Sequence, residues 1–195
     1  MKTGATARDK VFETAARLFF QHGYQAVGVD RIAAESGVGK MTLYRHFPSK
    51  DDLILAYLRR TDAEFWGHFE RSTQGTPTAR GKLLAFFESL QAYVTSSGCY
   101  GCPFINVAAE FPDPQDAGHA LAFEHKQAVR LRFEALAAEA GARQPAVLAG
   151  GLLLLMDGGY MSARLYGATV ANPAHQLAAA ARHLIDAQCG APSTD

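Results

Sequence analysis

Cysteine is scarce. Cys99, Cys102 and Cys189 cannot build a disulfide framework, and an odd count in a chain of 195 residues fits a reducing cytosol. No apolar run approaches the roughly 20 residues needed to span a bilayer. The longest, Ala146 to Met156, is closed by Asp157. The opening MKTGATARDK leads into an amphipathic stretch without an uninterrupted apolar core, so no signal peptide is expected. Neither sign of charge dominates, with Lys+Arg 19 against Asp+Glu 19. Convincing strand-length alternation, internal repeats and low-complexity segments are missing. The glycine pairs Gly150-Gly151 and Gly158-Gly159 lack phosphate-loop spacing. These absences exclude a disulfide scaffold, a membrane span and a nucleotide-phosphate loop. A soluble, cytoplasmic, helical protein is what they leave.

The balanced charge hides an asymmetry. Residues 1–60 hold ten Lys/Arg against six Asp/Glu, a net of +4, while residues 61–195 carry a net of −4. An anion-facing N-terminal part is implied. From Ala7 to His22, the residues Val11, Phe12, Ala15, Ala16, Leu18 and Phe19 fall on one helix face, and Gly23 supplies a stop. A short helix over Asp30–Ser36 ends at Gly37, and another over Lys40–Phe47 is stopped by Pro48. Ser49 with Asp52 resembles a capping box and opens a long helix from Lys50 to about Arg71. Further helix starts are expected at Thr76-Pro77, Asp113-Pro114, Gln144-Pro145 and Asn172-Pro173, with Cys102-Pro103 as a fifth candidate. About nine helices emerge, and the fold class is all-α.

Ile32-Ala33-Ala34-Glu35-Ser36-Gly37-Val38, followed by Leu43, carries the first functional signal. Two helices joined tightly need a small residue where backbones approach, which Ala33 supplies. They need a turn residue tolerant of positive φ, Gly37, and apolar residues to hold the crossing, Ile32, Val38 and Leu43. This is helix-turn-helix spacing, whose second helix can enter the major groove of DNA. Leu43 and Phe47 share the inward face of that second helix. Lys40, Met41, Thr42, Tyr44, Arg45 and His46 are left to face outward. Lys40, Thr42 and Arg45 can reach base edges, and Lys50 adds its charge to a helix N-terminus, a ready phosphate site. A merely solvated basic helix would leave the turn spacing unexplained.

The stretch AARLFFQHGYQAVGVDRIAAESGVGKMTLYRHFPSKDDLI strongly resembles the DNA-binding domain of the TetR family of bacterial transcriptional regulators, over about Ala7 to Leu58. The resemblance implies an all-helical homodimer, usually a repressor released from its operator by a small-molecule effector. It implies backbone contacts from Thr42, Tyr44, His46 and Lys50. Lys40, Met41 and Arg45 would lie nearest the bases, and Arg31 is a further candidate. Val29 stands where many relatives carry a capping threonine or serine, so Asp30 is the expected substitute cap. A helix-turn-helix domain over 1–48 and a helical-bundle domain for ligand binding and dimerisation over 49–195 are expected.

The C-terminal two-thirds says less. Residues 101–114, GCPFINVAAEFPDP, resemble a Gly-Cys…Asn…Glu pattern in one branch of the family, with Asn106 and Glu110 four apart. Cys99 and Cys102 form a CxxC that admits three readings: pocket lining or packing, thiol sensing or thiol-disulfide chemistry, and half a metal site. A helix start at Pro103 would favour a Cys102 thiolate. No second cysteine pair completes a four-cysteine zinc site, and packing is preferred, with no metal and no cofactor. Most of the aromatic residues are expected in the core, and a subset should line an effector cavity. The candidates are Phe65, Phe69, Phe87, Tyr93, Cys102, Asn106, Tyr160 and Arg164. No catalytic constellation appears. A small-residue surface from Ala146 to Gly167 and an alanine-rich one over Ala178–Ala181 admit intramolecular packing, a dimer interface, or both.

Overall fold

A computed structural model describes residues 5–190. Among them the elements are α1 (Ala7–His22), α2 (Val29–Ser36), α3 (Lys40–His46), α4 (Lys50–Thr73), α5 (Ala79–Val94), α6 (Pro103–Glu110), α7 (Ala117–Glu139), α8 (Pro145–Tyr166), a 3₁₀ turn (Pro173–Gln176) and α9 (Leu177–Cys189). No strand occurs among the described residues.

Local chemistry sets the boundaries. At the head of α1 the Asp9 amide donates to Thr6 Oγ1 at 3.2 Å, and the Thr6 amide donates back to the Asp9 carboxylate at 3.1 Å. This reciprocal cap satisfies two groups that no helical turn can reach. Ser49 and Asp52 do the same for α4, at 3.0 and 3.1 Å. Gly37 closes α2 at φ 67°, the left-handed conformation that a side chain would strain.

Three sequence expectations need correction. The second helix takes Gly28 as its N-cap, without a side-chain cap; Asp30 lies inside the first turn and pairs with Lys40 instead. Pro77 does not begin α5, because Thr78 Oγ1 accepts the Gly81 amide at 3.1 Å and places the first turn at Ala79. Pro114 does not begin α7, because Asp116 Oδ1 accepts from the amides of Gly118 and His119, at 2.8 and 3.1 Å. In both places an oxygen cap a few residues later outranks the proline signal.

The chain divides into two compact units. One takes in residues up to Ala63 together with Pro103–Phe123; the other holds Glu64–Cys102 and the chain from Glu124. In the first, α1, α2 and α3 pack around Val11, Leu18, Phe19, Ile32 and Leu43, all buried. Phe12 stacks on Phe47 at 6.2 Å between ring centroids, which ties α3 to α1. In the second, α5, α8 and α9 pack on one another, and Phe69, Phe86, Phe87 and Phe133 form a continuous ring core with centroids 5.1–5.7 Å apart. Burying each such ring stabilises by about 1.5–3 kcal/mol.

Candidate nucleic-acid interface and the residues behind it

Leu43 is wholly buried and Val38 nearly so, leaving the opposite side of α3 to solvent. Met41 is 85% exposed, a cost for a thioether unless something covers it. Lys40, Tyr44 and Arg45 are exposed beside it, while Thr42, His46 and Lys50 are half-buried. The structure therefore sets out the predicted group along α3 and the first residue of α4.

The cations differ in what they already hold. Lys40 Nζ lies 2.7 Å from Asp30 Oδ1, and that carboxylate raises the Lys40 pKa. Arg31 Nε contacts Glu35 Oε1 at 2.8 Å, and its Nη2 lies 3.1 Å from His22 Nε2. Arg17 reaches the other Glu35 oxygen at 2.6 Å, and the two guanidiniums, Arg17 first, hold Glu35 below its usual pKa. Arg45 and Lys50 enter no ion pair with any described residue. They are the cations at hand for phosphate oxygens or base edges without a prior exchange. Arg8 was not singled out by sequence; its guanidinium lies 5.1 Å from the Phe47 ring centroid, over the residue that terminates α3. A lone arginine in the first turn of a helix carries no spacing signal that could have revealed it.

In the other unit, Cys99 and Cys102 are free thiols, 5% and 4% exposed. Tyr93 and Tyr160 meet edge to face at 6.2 Å. Burial pushes Tyr93 and Tyr160 well above the usual phenol value and raises Cys99. A buried, protonated Cys99 is the opposite of the exposed thiolate that thiol-disulfide chemistry uses. Arg164 Nη1 donates to the Tyr100 carbonyl at 3.0 Å and its stem runs beside Gly101, whose φ is 98°. Phe65 is half-buried against Trp66, Phe86 and His125, whereas Phe69 and Phe87 are closed into the ring core. Asn106 is half-buried on α6, which belongs to the first unit. No cluster of three or more His, Cys, Asp or Glu able to hold a metal occurs among the described residues.

Known proteins resemble this arrangement closely. The profile of the bacterial regulatory proteins of the tetR family matches residues 11–57, which runs from within α1 through the first two turns of α4. The HTH-type transcriptional activator FasR of Mycolicibacterium smegmatis is 33% identical over 87 residues, 45% of this chain and 40% of that one. An HTH-type transcriptional regulator of Staphylococcus aureus is 39% identical over 64 residues, 33% of this chain and 35% of its own. The chain thus spans less than half the length of these curated relatives. Solved structures extend the likeness. A TetR regulator from Chloroflexus aurantiacus superposes with a TM-score of 0.76 at 26% identity, over 95% of each chain. A TetR-family transcriptional regulator from Streptomyces coelicolor superposes with a TM-score of 0.88 at 32% identity, over 94% of this chain and 96% of that one. With that identity sustained from end to end, the chain belongs to the TetR family of bacterial transcriptional regulators.

Proposed function

We propose that this protein is a cytoplasmic, sequence-specific DNA-binding repressor that works as a homodimer and leaves its operator when a small-molecule effector binds. The observation that carries the reading is the α3 surface: Met41, Tyr44 and Arg45 exposed on a helix anchored by buried Leu43, with Lys50 free at the next helix start. Arg45, Lys40 and Met41 would read base edges. Thr42, Tyr44, His46 and Lys50 would hold phosphates, and Arg31 would join them after leaving Glu35.

The dimer reading rests on α8. By length and mean hydropathy (1.4) this helix is apolar enough to cross a membrane, yet it packs on α5 and α9 through Leu148, Leu152, Met156 and Ala163. Its far side exposes Val147, Leu154, Met161 and Leu165, with Leu184 exposed on α9. The glycines divide accordingly. A side chain at Gly159 would strike Leu177 at 2.9 Å, so this glycine serves packing within the chain; Gly150 and Gly158 face open space and would let a second α8 approach closely. A four-helix bundle from two protomers would cover this stripe.

For the effector, Phe65, Tyr93, Cys102, Tyr160 and Arg164 are the proposed lining; Phe69 and Phe87 are closed into the ring core, and Asn106 belongs to the other unit. The hydroxyls of Tyr93, which is exposed, and of half-buried Tyr160 would supply its few polar contacts. The test of the whole reading is recovery of DNA by the full-length protein from fragmented genomic DNA of its source. The expected result is enrichment of an inverted repeat whose half-sites lie about 34–36 Å apart or a multiple of that spacing. Recovery no better than the starting pool would sink it.

A further inference from the structure

The turn between α1 and α2 is held from outside the helix-turn-helix. The backbone amides of Tyr24 and Gln25 belong to the turn that follows α1 and precedes α2. Both donate to one carboxylate, that of Glu110 at the end of α6. Tyr24 N lies 3.1 and 2.8 Å from its two oxygens, and Gln25 N lies 2.7 Å from Oε2. The Gln25 side-chain amide donates to the Glu110 backbone carbonyl. At the opposite end of α6, the buried Tyr24 hydroxyl donates to the Pro103 carbonyl at 2.9 Å. The corner therefore grips α6 at both ends, about 10 Å apart.

Gly23 makes the grip possible. Its φ of 86° disfavours any side chain, and a Cβ there would lie 2.6 Å from Glu110 Oε1. The glycine both turns the chain and clears the carboxylate's approach. α3 is fixed to α1 through buried Leu43 and the Phe12–Phe47 stack, and α1 ends in this corner.

We propose that Glu110 is a positioning residue for operator binding: its carboxylate fixes the angle at which α6 presents the helix-turn-helix. This proposal rests on the regulator reading above. It concerns sequence-specific docking, which needs both recognition helices in register, and not the general attraction of cations for phosphate.

Glu110→Gln tests it, since a carboxamide removes the charge from both hydrogen bonds and, with its oxygen at the Oε2 position, sets an NH2 donor where Oε1 now accepts from Tyr24 N at 3.1 Å. The full-length variant should bind the operator recovered by the wild type about tenfold more weakly per folded molecule, as loss of a charge-assisted hydrogen bond implies. Its affinity for a scrambled duplex of equal length, and the salt dependence of that affinity, should not change. Amide exchange at residues 24 and 25 should accelerate while α1 and α4 keep their protection. Tyr24→Phe, which loses the hydroxyl's bond to Pro103, should show the same selective effect at about fivefold. A Glu110→Gln protein whose two amides exchange faster but whose operator affinity stays within twofold overturns the proposal alone. Unchanged exchange overturns it too, because the carboxylate then holds nothing. Failure of the wild type to recover any operator sinks the regulator reading, and this proposal with it.

Discussion

Replacing Lys50 by alanine should change how DNA binding responds to salt by an amount that can be worked out beforehand. Lys50 begins α4, where the helix dipole and the Ser49–Asp52 cap leave its charge uncompensated by any described acid. In a dimer the substitution removes two cations. If each meets one phosphate, the slope of log affinity against log salt should fall by about 1.8, at about 0.9 per contact with duplex DNA. Between about 50 and about 200 mM salt, the affinity ratio of wild type to variant should then shrink by about twelvefold. Fluorescence anisotropy on a random-sequence duplex of about 30 base pairs suffices, because a phosphate contact is blind to sequence. Arg45→Ala is the companion. If Arg45 reads a guanine, its loss should cost about 1–3 kcal/mol at particular base pairs and leave other positions as they were. Parallel salt lines for wild type and Lys50→Ala would refute the reasoning, since a cation that meets no phosphate cannot release a counterion.

Two further outcomes follow from the second unit. Phe69 is 1% exposed and touches Trp66, Phe86 and the Arg132 guanidinium. Phe69→Ala should cost about 3–5 kcal/mol, lowering the thermal midpoint by about 6–20 °C, with Phe69→Leu near half of that; a drop below about 3 °C by circular dichroism would show that the ring is not packed. Burial raises Cys99 from 9.0 and Tyr160 from 10.0, so the folded state favours their neutral forms. Their contribution is whole below the unfolded values and is lost as pH climbs through and beyond them. The thermal midpoint should hold to about pH 8.5 and fall above about pH 9, less steeply in Tyr160→Phe; an equal fall would remove Tyr160 from the account.

The helix-turn-helix was legible because its signals are local. Gly37, the pair Leu43 and Phe47, and the Ser49–Asp52 cap act within a few residues of one another, and each does in the fold what its spacing announces. The false helix starts at Pro77 and Pro114 are local too, but there two legitimate signals compete and the nearer oxygen cap prevails. Non-local pairing was not legible. Nothing in the sequence around Asp30 reveals that its carboxylate would serve Lys40 instead of capping its own helix. Likewise Glu110 stood out only as part of a weak pattern, because its partners, two backbone amides, leave no trace in side-chain identity. The candidate effector lining was chosen by residue type, which separates neither Phe69 from Phe65 nor ring core from half-open surface; only burial does.

The stripe of Val147, Leu154, Met161 and Leu165 also sets a clock. If this stripe is the dimer seam proposed above, a protomer that has folded but not yet met its partner carries these side chains in water. Association rate constants of about 10⁵–10⁷ M⁻¹s⁻¹ would make the wait about 10–1,000 s at roughly 10 nM protein. During that interval the apolar side of α8 is open to aggregation, to chaperones and to proteases. On that reading scarcity would penalise this chain twice, once in operator occupancy and once in survival, and a modest fall in synthesis should lower the active pool more than in proportion.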